Sequence, residues 1–131
     1  MDPFSAPPAT ILLLASGSVM RAALRDALES AGYLVVTAAG LSDAMDRLDE
    51  MRPDLLVIRP YIDSMPANIA ANALRNKHHG LPVLMVAGLL DDDRVTDQNA
   101  VEYFHTFPKP FSRTELLAKV AEVLNLVRSK S

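Results

Sequence analysis

The 131-residue sequence contains no cysteine. This absence excludes disulfide frameworks, thiolate metal sites and cysteine nucleophiles, and it suits a reducing compartment, so we expect a cytoplasmic protein. Long apolar runs are missing too, because the longest covers only residues 10–15, whereas a membrane-spanning helix needs ~20 residues. We therefore expect no association with a membrane.

An excess of positive charge is also missing. The 13 lysine and arginine residues are outnumbered by 16 aspartate and glutamate residues, which gives a net charge of −3. A protein that holds nucleic acid by neutralising phosphates needs a basic surface, so we expect no direct nucleic-acid binding.

What the sequence has in quantity is apolar residues, which make up 50% of the chain, while charged residues make up 22%. A chain of this size and composition can bury one core without disulfide or metal support. We expect residues 1–9, which contain three prolines, to form a flexible lead-in. Residues 10–128 are then a single domain, and residues 129–131 a tail.

Short apolar segments alternate along the chain with segments of helical spacing. A continuous apolar run is typical of a strand that is covered on both faces, and such runs predict strands over 10–15, 33–38, 55–58, 82–86 and 101–107. Apolar spacing and capping signals predict five helices. The first helix follows residues 16–18, which supply turn and N-cap chemistry, and the second begins at 41. The third begins at 66, with Ile69, Ala73 and Leu74 facing inward. The fourth begins at 91, and the fifth begins at the capping box of Ser112 and Glu115.

Five strands alternating with five helices predict an α/β fold with a doubly wound parallel sheet. In such sheets ligands bind beyond the carboxyl ends of the strands, at the switch in strand order. The candidate functional residues therefore lie in four short segments that follow predicted strands: 15–18, 59–66, 87–93 and 106–110.

Several motifs follow one another in a recognisable order. They are Ile11-Leu-Leu-Leu with Met20-Arg21, then Gly32-Tyr33, Arg52-Pro-Asp-Leu-Leu-Val-Ile58, Pro82-Val-Leu-Met-Val86 and Lys109-Pro-Phe111. In this order and spacing the stretch 10–127 resembles the CheY-like receiver domains of two-component response regulators. The resemblance implies a flavodoxin-like (βα)5 fold with strand order 2-1-3-4-5 and a role in a phosphorelay. It also implies a protein partner (a histidine kinase, an output domain or another signalling protein), and a homodimer through the face of the fourth helix, fifth strand and fifth helix.

The same resemblance implies a site from which this sequence departs. Receivers bind Mg²⁺ through two adjacent acidic residues after the first strand, where this chain has Ala15 and Ser16. They accept the phosphoryl group on an aspartate that ends the third strand, where this chain has Arg59. The hydroxyl residue that ends the fourth strand is replaced by Ala87 and a later aromatic residue by Thr106, while Lys109 is retained, followed by Pro110 and Phe111.

These replacements change the chemistry that the site can perform. A guanidinium has hydrogen-bond donors but no oxygen that could accept a phosphoryl group. Magnesium prefers oxygen ligands anchored by carboxylates, whereas Ala15 offers none and Ser16 only a hydroxyl. Asp54 precedes Arg59 by five residues, about 16 Å along a strand, so we expect it at the opposite sheet edge. We therefore expect a degenerate receiver, or pseudo-receiver, with no catalytic residues and no bound Mg²⁺, that acts by protein interaction.

Three alternatives remain open at this point. Asp63 lies in a loop with three more residues than the family spacing, and it could be an unconventional acceptor in an active receiver. The positive charges of Arg59 and Lys109 could be neutralised by the three aspartates at 91–93, or by an anion that also contacts Ser16. A flavodoxin-like module that binds an anion or nucleotide on residues 16–18 is the third alternative, although no G-x-G-x-x-G motif follows the first strand.

Overall fold

The computed structural model describes residues 9–59, 61–62, 64–86, 104–107 and 113–130, with the backbone alone at 104–107, 113 and 126–130. Within these residues it contains seven strands and four helices, the last of which is the longest. The strands are β1 (Thr10–Leu14), β2 (Leu34–Ala38), β3 (Leu55–Ile58), β4 (Tyr61–Ile62), β5 (Met65–Pro66), β6 (Val83–Val86) and β7 (Phe104–Phe107). The helices are α1 (Ser18–Ser30), α2 (Leu41–Glu50), α3 (Ala67–Lys77) and α4 (Arg113–Lys130).

The main sheet is parallel and has the strand order β2-β1-β3-β6-β7. Since β6 and β7 are its fourth and fifth strands along the chain, the predicted order 2-1-3-4-5 is confirmed. Leu14 at the end of β1 lies opposite Ala38 in β2 and Ile58 in β3, and Ile58 lies opposite Met85 in β6. The strands therefore end nearly level, and we call this side of the sheet the carboxyl edge and the side where they begin the amino edge.

The central strands are buried on both faces, as their continuous apolar sequences predict. All four residues of β3 and the last four of β1 are 0% exposed. Leu13 and Val57 pack with α1 and α4 on one face, whereas Leu12 and Leu56 pack with α2 and α3 on the other. Burying one such aliphatic side chain contributes about 1.5–3 kcal/mol, so the two layers hold the strand ends in fixed positions.

Helix α1 ends where the sequence predicts. Gly32 adopts a φ of 95°, a left-handed conformation that favours glycine, and its N–H donates to the Glu29 carbonyl at 2.9 Å. The N-cap of α1 is Gly17, within the predicted segment 16–18, and no side chain caps the first turn. The serines on either side of Gly17 are both exposed.

The inward face of α3 differs from the sequence-based prediction. Ile69 was expected to face the core but is 53% exposed, and Ala73 is only half-buried. Leu74 is buried as predicted, and it forms a buried stripe with Ala67, Ala70 and Ala71. This i, i+3, i+4, i+7 spacing lets the helix pack closely through small side chains, and it leaves Ile69 on the flank.

Two boundaries also differ. Ala9, assigned above to the lead-in, is buried and its carbonyl accepts the Leu34 N–H at 3.0 Å, so the folded part includes this residue. Helix α4 begins at Arg113, consistent with the predicted capping box, and extends through Lys130, beyond the expected boundary at 128. The helix predicted at 91–99 and the first residues of the strand predicted at 101–107 lie outside the described residues.

A short hairpin that the sequence did not predict follows β3. Its strands β4 and β5 pair antiparallel, with Ile62 opposite Met65. Ile62 is buried against the α2–α3 side of the sheet, and Tyr61 is 52% exposed. The described residues of 61–66 thus form a short hairpin after the carboxyl end of β3. No helix within the described ranges has the length and apolar character needed to cross a membrane.

Candidate functional site

The backbone fixes two candidate site residues at the carboxyl edge. The N–H of Ala15 donates to the Ala38 carbonyl at 3.1 Å, and the N–H of Arg59 donates to the Leu14 carbonyl at 3.3 Å. Both bonds continue the sheet ladder one residue beyond the strands. The positions that follow β1 and β3 are therefore adjacent, as the sequence analysis predicts for residues 15 and 59.

The side chain of Arg59 extends from the end of β3 to the neighbouring strand. Its Nη1 donates a hydrogen bond of 2.9 Å to the carbonyl of Val86, the last residue of β6. The guanidinium is partly buried, and a hydrogen bond from a charged donor is stronger than a neutral one in such a setting. Arg59 has further interactions as well, so this bond is one part of its environment.

A second guanidinium, which the sequence reasoning did not single out as a site residue, lies at the same edge. Nη1 of Arg21 donates to the carbonyl of Ala15 at 2.7 Å and, at 3.4 Å, to that of Ser16. Arg21 is in the first turn of α1, where its N–H donates to the Gly17 carbonyl. Because helical side chains point back toward the helix N-terminus, a long side chain here reaches the backbone of residues 15 and 16. This rule of helix geometry is the signal by which Arg21 could have been identified from the sequence as a site residue.

The other described candidates differ in exposure. Ala15 is fully buried, whereas Ser16 is exposed. Asp54 lies at the amino edge, as expected, where its carboxylate accepts the Thr10 N–H at 2.8 Å and its own N–H donates to the Thr10 carbonyl at 2.7 Å. Asp54 therefore joins the beginnings of β1 and β3 and takes no part in the carboxyl edge.

The side chains at the three described positions do not fit a magnesium site. Ala15 presents a methyl group, Ser16 a neutral hydroxyl and Arg59 a guanidinium, whereas Mg²⁺ needs oxygen ligands in near-octahedral geometry with carboxylate anchors. In the part of the chain that the structure describes, no cluster of three or more histidine, aspartate or glutamate side chains could hold a metal ion.

Several predicted site residues lie outside the described residues. These are Asp63, Ala87, the aspartates at 91–93, Lys109, Pro110 and Phe111. Thr106 is described by its backbone alone, in β7 opposite Met85. Among the described candidates, the structure brings Ala15, Ser16 and Arg59 to one edge, and the roles assigned to the remaining positions stay predictions.

The model of the response regulator receiver domain family matches residues 11–121. The chain belongs to this family. It is therefore a receiver domain of the response-regulator type found in two-component signalling, and the resemblance read from its motifs is confirmed.

Curated relatives show similar levels of identity. The chain is 30% identical over 118 residues to the sensor kinase CckA of Brucella abortus, covering 88% of this chain and 12% of that protein. It is 30% identical over 120 residues to the response regulator MprA of a Mycobacterium species, covering 89% of this chain and 51% of that protein. The chain thus spans about half the length of the matched response regulator and a small part of the kinase.

Solved structures support the fold. The chemotaxis protein CheY4 of Vibrio cholerae superposes with a TM-score of 0.74 at 24% identity, covering 88% of this chain and 98% of that one. A response regulator receiver protein from Sinorhizobium medicae superposes with a TM-score of 0.78 at 22% identity, covering 94% and 99%. At these identities the likeness shows the CheY-like fold.

Proposed function

We propose that this receiver domain acts through protein contacts and does not form an aspartyl phosphate. The observation that carries the proposal is Arg59, which follows β3 at the position where the family resemblance places the acceptor. Its side chain is bonded to the Val86 carbonyl. Phosphoryl transfer needs a nucleophilic oxygen and a cation that neutralises the equatorial oxygens, and a guanidinium at this position supplies no nucleophilic oxygen.

The partner that we propose is another signalling protein. The two curated relatives described above are a sensor kinase and a response regulator, and this chain matches only part of each. A receiver module of this kind would contact a histidine kinase, an output domain or another receiver copy. Val19, 84% exposed at the start of α1 and next to the carboxyl edge, offers an apolar contact point for such a partner.

Intact-mass spectrometry after incubation with acetyl phosphate and Mg²⁺ tests the proposal. We expect no phosphoryl adduct on the native chain. The positive control is the triple variant Ala15→Asp, Ser16→Asp, Arg59→Asp, which restores the acidic pair and the acceptor. An adduct on the native chain would contradict the proposal, and its loss in Asp63→Asn would identify Asp63 as an unconventional acceptor.

A second candidate function, anion binding at the carboxyl edge, is favoured by the two guanidiniums found there. Arg21 and Arg59 bring two positive charges to the ends of β1, β3 and β6. We propose that inorganic phosphate would bind there through Arg59, Lys109 and Ser16, with charge from Arg21. Saturable shifts of the Ser16 and Arg59 amides in an NMR titration with phosphate are expected, and their absence up to millimolar phosphate would reject this candidate.

A further inference from the structure

One residue joins three adjacent strands at the carboxyl edge. The N–H of Arg59 donates to Leu14 at the end of β1, and its guanidinium donates to Val86 at the end of β6, while Arg59 itself continues β3. The two hydrogen bonds leave the residue in opposite directions across the sheet. The three central strands are therefore linked at their ends by a single residue.

The guanidinium bond lies where the backbone ladder between β3 and β6 ends. The last pair in that ladder is Ile58 with Met85, so Arg59 lies beside Val86 in the continued register. Arg59 and Val86 are 27 residues apart in sequence, which makes this a tertiary contact between two strands. The side chain thus extends the connection between the strands by one residue, to the point at which the chain leaves β6.

We propose that Arg59 is a permanent tie that holds the ends of β3 and β6 in one arrangement. The inference rests on the proposed function, because a domain that is not switched by phosphorylation would present one fixed state of this edge to its partner. A packed edge with two discrete arrangements is the kind of element that a switch needs, and a charge-assisted bond across it favours one arrangement. The ends of β3 and β6 would then keep one arrangement at all times.

The structure offers a matched control for this proposal. Arg21 also places Nη1 on a carbonyl at the carboxyl edge, but its bond to Ala15 spans six residues and joins α1 to the end of its own preceding strand. Arg21 and Arg59 thus share the side chain, the type of bond and the sheet edge. They differ in whether the bond connects two neighbouring strands.

Amide hydrogen exchange measured residue by residue tests the tie with the variants Arg59→Met and Arg21→Met. Methionine keeps much of the aliphatic stem and removes the donors. Losing one charge-assisted bond is expected to speed exchange of the amides at 84–86 roughly tenfold in Arg59→Met. The β2 amides at 35–38 should keep their native rates. In Arg21→Met the amides at 84–86 should also keep their native rates.

Native exchange rates at 84–86 in a folded Arg59→Met would overturn the tie, and so would equal acceleration in both variants. If Arg59→Met does not fold, Arg59→Gln, whose shorter side chain falls short of the Val86 carbonyl, must show the same local acceleration. The proposed function fails separately, since a phosphoryl adduct on the native chain in the mass measurement contradicts it whatever the exchange rates are.

Discussion

At the amino edge of the main sheet the side chain that joins two strands is a carboxylate, whereas at the carboxyl edge it is a guanidinium. Asp54 fixes the beginnings of β1 and β3 through two hydrogen bonds with Thr10. At the carboxyl edge, Arg59 after β3 donates to the Val86 carbonyl at the end of β6, and Arg21 in α1 donates to the Ala15 carbonyl just after β1. The fold of a receiver and the chemistry at its carboxyl edge are therefore separable, because this chain keeps the family's parallel sheet with a guanidinium after β3.

Both edges depend on the core between them, and a cavity there should have the largest effect. Leu13 in β1 is 0% exposed, so Leu13→Ala is expected to lower the free energy of unfolding by about 2–5 kcal/mol. Urea denaturation followed by circular dichroism measures this change. Leu34→Ala, at a 55% exposed position of β2, is the matched control and should cost under about 1 kcal/mol. Equal losses would contradict the burial of Leu13 and the exposure of Leu34.

The second largest effect is expected when the charge of the carboxyl edge is reversed, which makes both edges of the sheet acidic. In the triple variant Ala15→Asp, Ser16→Asp, Arg59→Asp, three carboxylates replace the Arg59 tie, and their repulsion should lower the free energy of unfolding by roughly 2 kcal/mol. Millimolar Mg²⁺ should restore part of that loss, because it binds the native state alone. The matched variant with asparagine at all three positions should not respond to Mg²⁺. If the aspartate variant folds and still ignores Mg²⁺, the register assigned to β1 and β3 is wrong.

A smaller effect is expected at the amino edge. Asp54→Ala removes the carboxylate that accepts the Thr10 N–H, and for this exposed hydrogen bond we expect a loss of about 1 kcal/mol. Thermal denaturation measures this loss of stability. Asp46→Ala, at an exposed position on α2, removes the same charge and should change stability by less than about 0.5 kcal/mol. A change in Asp54→Ala no larger than in this control would show that the carboxylate does not join the strands.

The smallest effect is expected on α3, at Ile69, whose inward orientation was predicted incorrectly from the sequence. Ile69→Ala should alter the free energy of unfolding by less than about 0.5 kcal/mol, because the side chain is 53% exposed. Leu74→Ala, on the buried stripe of the same helix, should cost about 2–5 kcal/mol. Similar costs at both positions would place Ile69 in the core after all.

The strands could be predicted because β1, β3 and β6 are continuous apolar runs, a local signal that needs no knowledge of tertiary contacts, whereas their order in the sheet came from the family resemblance. On α3, Leu74 was predicted correctly but Ile69 and Ala73 were not, because the helix packs closely through alanines. The hairpin at Tyr61–Ile62 was missed since each of its strands has only two residues, too few for a period to show. At the site, the family resemblance indicated positions 15, 16 and 59, but the Arg59 bond to Val86 depends on strand neighbours that are distant in sequence.

The claim that this receiver does not form an aspartyl phosphate is tested most directly by an amide-resolved NMR titration of the native chain. Mg²⁺ is added first, then beryllofluoride, which mimics a phosphoryl group on aspartate, and finally phosphate in a separate sample. We predict no shifts with Mg²⁺ or beryllofluoride at the amides of Ala15, Ser16 and Arg59. Magnesium-dependent beryllofluoride shifts that spread from these residues to β6 and β7 would contradict the claim and show an active receiver with another acceptor.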